Sequence, residues 1–133
     1  MASSAATSSP LSGQITERLT RTNYVLWRTQ ITPQLRGAGV FGYVDGSMAE
    51  PAEFVAGKDK DGKEATIPNP LHAVWFREDQ QVLGYLLNNL SKEVLVQVTS
   101  IAHARELWTA LASMFSSTSL SCVNNIRAAL TNA

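Results

Sequence analysis

Residues 69–90 read NPLHAVWFREDQQVLGYLLNNL, and this stretch decides the fold class. Asn69 is a residue type that caps a helix by accepting a backbone N–H, and Pro70 takes the first helical position, where its missing N–H costs nothing. From there Leu71, Trp75, Val82, Leu86 and Leu90 fall on one broad face, widened by Phe76, Leu83 and Leu87. That spacing predicts a helix reaching about Leu90. Arg77, Glu78, Asp79 and Gln80 interrupt the stripe with one polar turn. Glu78 and Asp79 are not a facing carboxylate pair, because neighbours on a helix point about 100° apart. They read as solvated charges, or as ion-pair partners of Arg77 or of another helix.

Working outward, the same periodicity recurs on both sides. Upstream, Tyr24, Trp27, Ile31, Leu35 and Ala38 mark one face of a helix over Asn23–Ala38. Thr22 or Asn23 is placed to cap it, and Gly37 and Gly39 to end it. Pro33 lies inside this pattern and predicts a kink near Thr29–Pro33. Val40–Gly46 is too short and too interrupted by glycine for a helix, so we expect a turn-like strip with Phe41 and Val44 packed on the first helix. Residues 47–68 turn polar, with Pro51, Gly57, Gly62 and the charges Lys58-Asp59-Lys60-Asp61, and read as a long exposed loop.

Downstream, Ser91 is placed to cap a short helix holding Val94, Leu95 and Val98. Thr99 or Ser100 opens another, with Ala104, Leu107, Trp108, Leu111, Met114 and Phe115 on its apolar face. After a Ser/Thr stretch, Val123, Ile126 and Leu130 line a last amphipathic segment that runs to Ala133 without a stop signal. It reads as a helix awaiting a partner or as part of a longer parent chain. The Ala/Ser/Thr-rich residues 1–15 read as a flexible tail, leaving 16–133 as one helical domain. The fold expected is all-α, a bundle of four to five helices.

The chain has 133 residues, 44% hydrophobic and 17% charged, with 11 acidic and 11 basic side chains. This is a globular balance, and it lacks the net positive charge of a free-standing nucleic-acid binder. Cys122 is the one cysteine, so an internal disulfide and a cysteine-rich metal site are both ruled out, and a partly buried thiol is expected. Met1–Gly13 has no signal-peptide pattern, and no apolar run reaches membrane-spanning length. An intracellular, cytoplasmic or nuclear, protein is therefore expected, and Asn89-Leu90-Ser91 reads as a chance glycosylation match.

No constellation carries catalysis. His72 and His103 sit in separate helices with no metal-binding spacing, and we read them as surface or helix-end residues. Asp45-Gly46-Ser47 has the order of an aspartic-protease motif reversed. We expect no enzyme, no cofactor, no metal and no small-molecule substrate. The three tryptophans lie on the apolar faces of three helices, and the core anchors predicted are Tyr24, Trp27, Leu35, Trp75, Leu86, Leu107, Trp108 and Leu111. Truncating one of the tryptophans to alanine should cost roughly 3–5 kcal/mol.

Several ordered fragments resemble a family. They are Thr22-Asn23-Tyr24-Val25-Leu26-Trp27-Arg28, Pro33-Gln34-Leu35-Arg36-Gly37 and Gly42-Tyr43-Val44-Asp45-Gly46, then Asn69-Pro70, Trp75, Asp79-Gln80 and Leu86 to Ser91. Ala104-Arg105-Glu106-Leu107-Trp108, Leu111 and Phe115-Ser116-Ser117 complete the set. In this order and spacing they resemble the N-terminal, capsid-like region of plant copia-type retrotransposon Gag polyproteins. The resemblance implies an orthogonal helical bundle and association with copies of itself or related Gag chains. The partner surface expected is Val123, Ile126 and Leu130. RNA is the other partner the resemblance implies, although the zinc knuckle of longer relatives is not in this sequence. An alternative reading makes the chain a nucleic-acid-binding module using Arg21, Arg28, Arg36 and Arg127, with binding that weakens steeply as salt rises.

Overall fold

The computed structural model describes Leu11 and residues 17–116. Its elements are α1 (Tyr24–Gly37), α2 (Gly42–Asp45), β1 (Phe54–Lys58), β2 (Glu64–Pro68), α3 (Pro70–Asn88) and α4 (Lys92–Leu95). A further helix, α5, is described from 104 to 116. The chain is helix-rich but not all-α, because β1 and β2 pair antiparallel across the stretch expected to be a loop.

The hairpin forms for a local reason. Asp59 N–H donates to Lys63 O at 2.9 Å and Gly62 N–H to Asp59 O at 3.0 Å, which leaves Gly62 in the left-handed region at φ +80. The Asp59 carboxylate braces the turn by accepting from the N–H groups of Asp61 and Lys63, both at 2.9 Å. Asp-Gly between short apolar runs is a hairpin signal. The density of charge and the flanking prolines hid it, since both strands are largely exposed and so lack a buried alternating face.

α1 runs unbroken through Pro33 and buries Tyr24, Trp27, Ile31 and Leu35. Asn23 holds the cap position without capping. Its side chain instead closes the preceding turn, accepting from Thr20 N–H at 2.7 Å and donating to Arg18 O at 2.9 Å. The segment expected to be a turn-like strip contains the single helical turn α2, which buries Tyr43 and Val44. Gly46 ends it at φ +88, a conformation that favours glycine, and the Arg105 guanidinium lies against it, 2.6 Å from where a Cβ would stand.

Asn69 caps α3 as expected, accepting from Leu71 N–H at 3.1 Å. The same residue clamps the hairpin base, because its N–H reaches Glu53 O at 2.9 Å and its amide donates to Ala52 O at 2.7 Å. α3 ends at Asn88, and Leu90 is buried beyond it in a parallel bridge with Leu19. Trp27 threads the same junction, donating its indole N–H to Asn89 O at 2.9 Å. One core joins these elements. Leu19, Trp27, Ile31, Leu35, Val82, Leu86, Val94, Leu107 and Leu111 are fully enclosed in it. Tyr24 and Trp108 are buried at its margin, and Trp75 is only half-buried against it.

Candidate functional site

A cleft of about 690 Å³ lies between the α2–β1 connection, the first half of α3 and the start of α5. Tyr43, Met48 and Trp75 supply apolar walls, and Glu50, Arg105 and Glu106 bring charge. Trp75 is placed here because its indole N–H donates to Met48 O at 2.9 Å and its ring lies 6.1 Å from Tyr43 and 5.7 Å from His103. It was expected as a core anchor. The first two turns of α3 project past the core, with Leu71, Val74 and Phe76 all exposed, so Trp75 ends as a wall.

At the back of the cleft stands Asp79, which is 1% exposed. One oxygen accepts from Ala104 N–H at 3.0 Å, and the other lies 2.8 Å from His103 Nδ1 and 3.0 Å from Gln80 Nε2. Gln80 also donates to Ala102 O at 2.9 Å. Two neighbours on α3 thus hold the start of α5 from outside. The α5 start was expected at Thr99 or Ser100 but lies at residue 104, where this carboxylate takes the role a local cap would have. Of the readings open for Asp79, the pair with another helix is the one realised, and His103 is a helix-end histidine.

Glu78 accepts the Tyr43 hydroxyl. Burial first, then the Glu78 hydrogen bond and charge, push the Tyr43 phenol well above the ordinary tyrosine value. On the rim, His72 Nε2 lies 2.8 Å from Glu50 Oε2. Asp45 is held below its usual range by the Ser47 hydrogen bonds, with Arg105 and Arg36 helping. Asp79 and His103 have the look of an oriented base. The Asp79 carboxylate is already engaged in capping, and no serine or cysteine is among the described lining residues. Among the described residues no group of three or more His, Cys, Asp or Glu is placed to hold a metal ion.

A second groove, about 600 Å³, runs along α1 past Val25, Arg28, Thr32, Arg36 and Phe41. It brings together two of the arginines predicted to contact nucleic acid. The Arg28 guanidinium lies 5.7 Å from the Trp108 ring centroid and that of Arg36 lies 4.8 Å from the Phe41 ring. Arg21 is not part of it and sits 3.6 Å from Glu93. Arg127, Cys122 and the expected partner surface Val123, Ile126 and Leu130 lie outside the described residues.

Residues 7–52, a span that takes in α1, α2 and the Gly46 turn, match the model of the Gag-polypeptide of LTR copia-type. Over these residues the chain is similar to the copia-type Gag family. Over 113 residues, 85% of this chain, it is 28% identical to the "Retrovirus-related Pol polyprotein from transposon RE1" of Arabidopsis thaliana. Over 112 residues, 83% of the chain, it is also 28% identical to the corresponding polyprotein from transposon RE2 of the same plant. The chain spans only 7% of the length of these curated relatives. No solved structure matches it.

Sequence reasoning missed Tyr43, Met48, Glu50 and Asp79 as parts of one cleft. The signal for Asp79 was present, since it falls between Trp75 and Val82 at the spacing of the buried face. A carboxylate there has to be either exposed by a gap or satisfied by a partner, and only the partner's position settles which.

Proposed function

We propose that this chain is a Gag-type scaffolding module that acts through contacts with other copies of itself and performs no catalysis. The observation that carries this reading is the copia-type Gag match over residues 7–52, which spans the helix that contributes Trp27 and Leu35 to the core. Gag is a structural protein of such elements, and the buried carboxylate of the cleft, Asp79, is engaged at the start of α5. The domain belonging to this activity is 16–133, arranged as an orthogonal helical bundle with the β1–β2 hairpin as an exposed appendage, and its place of action is inside the cell. Light scattering across a wide concentration range tests the proposal. The weight-average mass should rise with concentration, and a mass that stays at 14.4 kDa throughout would rule out self-association by this chain.

A further inference from the structure

α1 and the cleft are chemically complementary, and they lie on different parts of one molecule. The α1 sequence YVLWRTQITPQLRG contains two arginines and no acidic residue. Its outer face presents Val25, 62% exposed, beside Arg28, Thr29, Thr32 and Arg36. The Arg28 and Arg36 guanidinium groups are steadied against the Trp108 and Phe41 rings on this exposed face, and Arg28 also bonds the Tyr24 hydroxyl. The cleft has the opposite character, with two exposed carboxylates, Glu50 and Glu106, against one arginine. Its walls are apolar and aromatic, as a site for the stem and head of an arginine requires.

The geometry points to a head-to-tail contact in which the α1 face of one copy docks in the Trp75 cleft of the next. Arg28 and Arg36 reach the Glu50 and Glu106 carboxylates while Val25 covers Met48 and Trp75. Because donor face and acceptor cleft are different surfaces, each bound copy still offers one free surface of each kind. Such a heterologous contact continues into rings or chains rather than stopping at a two-fold dimer. The inference rests on the self-association reading and specifies the surfaces that carry it.

Two double variants isolate the surfaces without touching the core or the Asp79 cap. Thr29→Glu with Arg36→Glu reverses the charge of the α1 face and leaves the Arg28–Trp108 stack in place. Glu50→Lys with Thr109→Lys reverses the cleft and leaves Glu106 in place. Circular dichroism confirms that each variant retains the helix content of the parent. By light scattering, the parent should form species larger than a dimer, which shrink with added salt. Each variant alone should remain a monomer, and an equimolar mixture of the two should give a 1:1 dimer and nothing larger, because one intact cleft then meets one intact α1 face. If the parent associates and either variant associates equally well, these surfaces are wrong while the self-association reading stands. If the parent never exceeds its monomer mass, both readings fall together. If the parent binds a labelled single-stranded RNA, the α1 variant does not, and the mixture stays monomeric, the α1 face serves nucleic acid and the docking inference is overturned.

Discussion

Asp79 stands on one helix and caps another. Burying a carboxylate is costly unless its oxygens are satisfied, and here both are, by Ala104 N–H, His103 and Gln80. Asp79→Ala leaves the Ala104 N–H without its acceptor and should lower stability by about 1–3 kcal/mol. Asp79→Asn keeps an oxygen toward Ala104 and should lose less, and urea-unfolding midpoints of the two variants separate the outcomes. Equal midpoints for the parent and Asp79→Ala would show that the cap contributes nothing. Trp75 makes the opposite point. Its indole satisfies its N–H on Met48 O and its half-buried ring lines the cleft, whereas Trp27 is wholly enclosed.

At the scale of elements, the hairpin has too little apolar burial to hold itself, because two strands alone are marginal in water. Its register relies on the Asp59–Gly62 turn and on Asn69 at the base. Asn69→Ala removes the α3 cap and the side-chain amide contact to Ala52 O, and leaves the backbone N–H on Glu53 O. A stability loss of about 0.5–2 kcal/mol is expected from the cap alone. Amide hydrogen exchange should quicken in β1 and β2 more than in α1. Uniform quickening across the chain would mean that Asn69 does not anchor the hairpin.

For the molecule as a whole, three tyrosines bind pH to stability. Tyr24, Tyr43 and Tyr85 all have phenols raised above the ordinary value, in each case chiefly by burial. A raised folded-state pKa means that the neutral form is favoured on folding. The stability this gives is fully present below the unfolded value of about 10 and is lost as pH rises through the folded values. Unfolding midpoints should therefore hold steady up to about pH 10 and then fall. Tyr43→Phe should flatten part of that fall, and a variant as alkali-sensitive as the parent would remove Tyr43 from the account.

The helices α1 and α3 and the apolar face of α5 were legible in the sequence because each repeats large apolar residues at helical spacing, as in Tyr24, Trp27, Ile31 and Leu35. The Asn69-Pro70 start was equally legible, since cap and first-turn chemistry are local. Family resemblance was carried by ordered residues alone and needed no coordinates. Tertiary structure decided what depends on distant partners. It set the start of α5, where the cap is a carboxylate from α3, and it moved Trp75 from core to cleft wall. It also joined Met48 and Glu50 to Arg105, more distant along the chain, in one cleft, and gathered Arg28 and Arg36 against aromatic rings. Periodicity reports which face of an element is apolar, but which neighbour covers that face, and how far along it, is a property of packing between elements.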